Sequence, residues 1–168
     1  MARRIQRLVI HCTATPEGLE VTAADIRRWH TSQPPLGRGW RQVGYTDLIH
    51  LDGRIERLVP NNEDAYVDGW EITNGAKGYN ETSRHIVYAG GLEATTDSRG
   101  RIVPKKDRKG NTISKDTRTA AQKRALREYV LDFHKRFPFA EIVGHNQLAV
   151  KDCPCFDVPS WLKEIGIN

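Results

Sequence analysis

Long hydrophobic runs are missing from this chain of 168 residues. No stretch approaches the roughly 18 consecutive apolar residues of a membrane-spanning helix, which excludes that class. The start Met1-Ala2-Arg3-Arg4-Ile5-Gln6-Arg7 is basic, as in an export signal, but Leu8-Val9-Ile10 runs straight into His11. Without the apolar segment that must follow, the sequence predicts a chain that is cytoplasmic as synthesised and leaves by another route. Cysteine is scarce too. There are three, an odd number, and Cys153 and Cys155 lie too close together for an ordinary disulfide. That excludes a disulfide scaffold and suits a reduced compartment with a metal-binding role.

What is present describes one soluble globular unit. Hydrophobic residues make up 38% and charged residues 28%, amounts that rule out a disordered or fibrous chain. The length suffices for one well-buried core and is short for two, and no repeat or linker divides residues 1–168. A formal charge of +5 favours an anionic partner such as nucleic acid, a phosphate-rich polymer or bacterial wall.

Local patterns supply the elements. Ile5 to Ile10 reads as a buried strand, whose alternation sends His11 and Cys12 to opposite faces. Thr22-Ala23-Ala24-Asp25 starts a helix from about Ala23 to Ser32, stopped by Pro34-Pro35. Tyr45 to Leu51, the Asp52-Gly53 turn and Arg54 to Leu58 form a hairpin. His85 to Ala89 is another strand. Residues 92–114 are polar, a surface excursion that is either mobile or a small hairpin. Thr119 caps an amphipathic helix carrying Leu126, Tyr129, Val130, Phe133 and Phe137. Glu141 to His145 is a last strand, and Pro159 opens a final helix. The alternation predicts an α/β fold: a single domain with a mixed central β-sheet flanked by helices.

The chemistry concentrates at both ends of the chain. His11 closes the first strand, and Gly144-His145 is followed closely by Lys151-Asp152-Cys153-Pro154-Cys155. Two imidazoles and a thiolate are three protein ligands, the number that a catalytic zinc takes while keeping a fourth position for water. Such a metal activates water for attack on a carbonyl. Lys151, two residues before Cys153, brings an ammonium towards the oxygen that turns negative in the transition state.

Several of these segments carry a resemblance. Val9-Ile10-His11-Cys12-Thr13-Ala14-Thr15, Val43-Gly44-Tyr45, Ala76-Lys77-Gly78-Tyr79-Asn80 and His145 through Pro154 resemble the zinc-dependent N-acetylmuramoyl-L-alanine amidases of the bacteriophage lysozyme type. Animal peptidoglycan recognition proteins belong to the same superfamily. The resemblance implies hydrolysis of the amide between N-acetylmuramic acid and L-alanine, in a groove with one zinc ion (Zn2+). It implies that His11, His145 and Cys153 are the ligands, that Tyr45 is a catalytic tyrosine and that Lys151 stabilises the oxyanion. Some relatives carry a histidine just before the Ala-Lys-Gly-Tyr-Asn segment, where this chain has Gly75. The implied partner is peptidoglycan. Neither nucleic acid nor membrane is expected, and a monomer is.

Other residues get plainer readings. Cys12 is assigned to the core, and Cys155 is a small hydrophobe or a spare thiol that could compete for the metal. His30, His50, His85 and His134 read as structural or surface residues, and Lys105-Lys106-Asp107-Arg108-Lys109 as a solvated loop. Trp40 and Trp70 sit in loops that could line a groove. Two other functions compete: a module that binds wall peptides without cutting them, and a basic zinc protein on nucleic acid. The second needs four ligands at short spacing, whereas here His11 lies more than a hundred residues from His145 and Cys153.

Overall fold

Aliphatic and β-branched residues cluster in short segments that only a sheet covered on both faces can bury. The computed structural model, which describes residues 1–168, forms that sheet from five strands. They are β1 (Arg7–Cys12), β2 (Asp47–Ile49), β3 (Ile55–Arg57), β4 (Ser83–Tyr88) and β5 (Glu141–Gly144). Their spatial order is β5-β1-β4-β2-β3. All neighbours pair in parallel except β2 and β3, the antiparallel hairpin expected around Asp52-Gly53. The sheet is therefore mixed, as anticipated.

Three helices cover it. Helix α1 (Ala23–Thr31) begins with a reciprocal cap: Thr22 Oγ1 accepts from the Asp25 N–H at 3.0 Å, and Asp25 Oδ2 accepts from the Thr22 N–H at 2.9 Å. Helix α2 (Ala120–Arg136) opens with the same device between Thr119 and Gln122. Buried Gln122 also donates to the carbonyls of Ile49 and Ala89, which locks the start of α2 onto the ends of β2 and β4. Helix α3 (Val158–Glu164) is capped by Asp157.

Alternation divides the sheet residues between two cores. Leu8, Ile10, Ile86 and Tyr88 pack with Leu126, Phe133 and Trp161 under α2 and α3. Leu48 and Val87 pack with Ile26 of α1 on the other face. Burying each large side chain contributes roughly 1.5–3 kcal/mol, so both faces hold the sheet in one register. His11 and His85 are odd-numbered residues of β1 and β4, like Val87, and so belong to the α1 side.

Two local readings shift. The first strand starts at Arg7 rather than Ile5, because its parallel neighbours begin at Ser83 and Glu141. Ile5 is still buried, its N–H bonded to the Ala65 carbonyl. The polar excursion takes its hairpin alternative: Ala94–Thr96 pairs antiparallel with Ile102–Pro104, and an isolated bridge joins Lys106 to Thr112. No helix is long and apolar enough to cross a membrane.

Candidate metal centre

Strand pairing brings the two ends of the chain together. Gly144 of β5 lies opposite Ile10 of β1, so His145, the first residue beyond β5, stands beside His11 of β1. Their rings are 4.7 Å apart between centroids. Cys153 arrives on the loop before α3. Its sulfur accepts from the Cys12 N–H at 3.3 Å, and the buried Tyr88 hydroxyl donates to the Pro154 carbonyl at 2.6 Å, pinning the loop. One donor atom from each of His11, His145 and Cys153 lies within 4.8 Å of the others.

This triangle suits a tetrahedral metal. Zinc–nitrogen and zinc–sulfur bonds of about 2.05 and 2.3 Å at a tetrahedral angle place the two atoms about 3.6 Å apart. The separation between His11 Nδ1 and Cys153 Sγ is 3.7 Å. Protonation states agree. Burial holds the His11 pKa well below its usual value, and the neighbouring His85, His145 and Lys151 add to that. Burial and then Lys151 lower His145 too. Both imidazoles are thus neutral near pH 7, the form that binds metal.

Cys155 stands apart from the triangle. Its Sγ is 3.7 Å from Cys12 Sγ, and this contact pushes the Cys155 thiol pKa up. Cys12 is buried, as expected for a core residue, and its hydrogen bond with Cys153 heads the causes that push its pKa up to about 12.

Above the donors runs an open groove of about 680 Å³. His145, Tyr45 and Lys151 all line it. The Tyr45 ring packs 5.1 Å from that of His11, and burial raises its pKa, so the phenol keeps its proton. His30 fixes this corner: its Nδ1 accepts from the Gly44 N–H at 2.9 Å, while its ring packs on Tyr45 and Trp40. The structural reading of His30 therefore stands. Four cationic residues, Arg38, Arg41, Lys77 and Lys151, border the groove and no carboxylate does, which favours an anionic ligand. Trp40 lines the groove as anticipated. Trp70 does not: it sits on the exposed turn Gly69–Glu71, away from the groove wall.

Of the two readings of His85, structural or surface, the structure takes the first and sets it directly behind His11. It is fully buried, and its Nδ1 lies 2.8 Å from His11 Nε2. The space it fills is the space left open at Gly75: a Cβ there would run into the His85 ring and stand 2.7 Å from the Gly44 carbonyl oxygen. Nothing local marks His85, because its neighbour in space, His11, is 74 positions away. The departure from relatives at Gly75 is the one signal that something else occupies this volume.

Comparison with known proteins places the chain in a family. The family described as N-acetylmuramoyl-L-alanine amidase matches residues 1–156. The endolysin of Klebsiella phage KP32 is 31% identical over 155 residues, covering 92% of this chain and 83% of that one. Among solved structures, the N-acetylmuramoyl-L-alanine amidase LysC from Clostridium intestinale URNW superposes with a TM-score of 0.67 at 17% identity, covering 98% of this chain and 87% of its own. A complex of the peptidoglycan recognition proteins LCa and LCx with tracheal cytotoxin gives 0.59 at 23% identity, covering 96% and 82%. These structural likenesses establish the fold.

Proposed function

The chain belongs to the N-acetylmuramoyl-L-alanine amidase family, and from that premise we propose that His11, His145 and Cys153 hold one zinc ion for hydrolysis of peptidoglycan. The protein is a peptidoglycan hydrolase that cleaves the amide between N-acetylmuramic acid and L-alanine. The observation carrying the metal assignment is the triangle of two neutral imidazoles and one sulfur, of which His145 lines a cationic groove. Three protein donors are the set that leaves a position free for chemistry. When bound, zinc lowers the pKa of water and polarises a carbonyl.

The rest falls to side chains of this chain. Arg38, Arg41 and Lys77 attract an anionic wall fragment into the groove and orient it. Tyr45 keeps its phenolic proton and offers it as a hydrogen bond to the scissile carbonyl oxygen, on which charge develops as water adds. Lys151 Nζ brings a positive charge to the same oxygen. His30 holds the Gly44-Tyr45 backbone so that the phenol keeps its aim. As the C–N bond breaks, the amine of L-alanine leaves carrying a proton and the muramyl carboxylate stays with the glycan. The resulting pair of charged products is well solvated.

Digestion of purified cell wall, followed by mass spectrometry of the soluble products, tests this reading. Free stem peptides with an N-terminal L-alanine are expected, together with stoichiometric zinc in the purified protein. Release of intact disaccharide-peptides instead would assign cleavage to a glycosidic bond and overturn the reading.

A further inference from the structure

We propose that His85 is a positioning residue for the metal centre: through its Nδ1 it fixes the tautomer and ring orientation of His11, and Gly75 is the vacancy that admits it. The inference rests on the metal assignment above and deepens it. His11 Nδ1 faces Cys153, so it is the nitrogen whose lone pair is free for a metal. Its proton must then sit on Nε2, and at 2.8 Å the only partner there is His85 Nδ1, which accepts. A ligating imidazole is oriented by the group that its other nitrogen meets, and such partners set both its tautomer and its basicity.

The surroundings leave His85 little other use. Its side chain is wholly buried, so it has no role at the surface. Acceptance by Nδ1 puts the His85 proton on Nε2, a buried atom with no hydrogen-bond partner. A buried donor left unpaired costs stability, and a leucine in this position would avoid that cost. The fold keeps the imidazole even so. Parallel pairing sets His85 beside Val9 of β1, on the same side of the sheet as His11 two residues further on. The ring then needs room, and only a residue without a Cβ at position 75 provides it.

Two measurements decide. The first needs no variant: a long-range proton–nitrogen NMR correlation on histidine-labelled, metal-free protein at neutral pH. His11 is expected as the pure Nε2–H tautomer, and a His11 carrying its proton on Nδ1 would overturn the proposal. The second compares zinc affinity, by chelator competition, in His85→Leu and His85→Asn. His85→Leu is expected to weaken binding by about 10–100-fold, the usual effect of losing such a partner. His85→Asn, whose amide oxygen can accept where Nδ1 did, should recover most of it. A merely structural histidine would lower the melting temperature in both variants and leave zinc affinity per folded molecule unchanged, which counts against the proposal. Absence of zinc binding by the wild-type protein would overturn the metal assignment and this inference together. Wild-type affinity in His85→Leu, beside a zinc-binding parent, would overturn the inference alone.

Discussion

Gly75→Ala adds one methyl group to a place with no spare volume. The new Cβ would run into the His85 ring and lie 2.7 Å from the Gly44 carbonyl oxygen. Neither wall yields easily. His85 is buried within the sheet, and the Gly44 backbone is held by His30 Nδ1 at 2.9 Å. The residue before Gly75 is tied as well, with the Asn74 N–H on the Val43 carbonyl at 3.1 Å and its side-chain amide on the Gln42 carbonyl at 2.9 Å. On the far side, Asn80 Oδ1 accepts from the Ala76 N–H at 2.8 Å. Overpacking at such a site costs about 1–3 kcal/mol. Replacing glycine stiffens the unfolded chain and offsets about 0.4–1 kcal/mol of that. Because one obstacle is backbone, the upper half of the range applies and the expected net loss is about 1–2.6 kcal/mol. For a domain of this size that lowers the melting temperature by roughly 2–10 °C. Urea denaturation of Gly75→Ala, His85→Ala and the double variant would give the coupling directly. Removing the imbricated imidazole should relieve part of the clash, so the two losses should fall short of additivity by about 0.5 kcal/mol or more. A Gly75→Ala protein as stable as wild type, or losses that add fully, would refute the steric argument.

Other consequences are simpler. Cys153→Ser should lose stoichiometric zinc and wall hydrolysis, whereas Cys155→Ser should keep both, since only Cys153 belongs to the donor triangle; plasma emission spectroscopy with turbidity assays reads the pair. Lys151→Ala should retain zinc and lose about 10²–10³-fold in turnover, the usual cost of removing one oxyanion donor; unchanged kcat would remove Lys151 from the chemistry. Stability of the metal-free protein should be full near pH 7 and decline as pH falls below about 6.5. Burial lowers the folded pKa of His30 to about 4 and that of His85 to about 3, from an ordinary 6.5. In that window the unfolded chain takes up protons that the folded chain refuses. A urea midpoint independent of pH between 7 and 4.5 would contradict this.

Much of the scaffold was legible because its signals are local. Thr22 with Asp25 and Thr119 with Gln122 announce helix starts through atoms three residues apart, and both caps form. The Asp52-Gly53 turn fixes a hairpin within a dozen residues. The three side chains of the candidate donor triangle were legible for a different reason, since their types and spacings resemble a known pattern. Long-range pairing is another matter. That His145 leaves the sheet beside His11 follows from the parallel match of Gly144 with Ile10, a register set by burial on both faces rather than by any neighbouring residue. Trp70 shows the converse: a loop tryptophan that looks suited to a groove sits on an exposed turn elsewhere.

By itself, then, the chain determined where its two longer helices start, its hairpin, its lack of a membrane-spanning helix and the kinds of atom that its centre offers, since these depend on contacts within a few residues or on composition. Only the folded arrangement decided that a second histidine stands behind His11, that the gap at Gly75 receives it, and that Cys12 and Cys155 face each other beside the donor set. Those facts depend on how distant segments are stacked. Stacking is settled by the shared burial of two cores, which no window along the polypeptide contains.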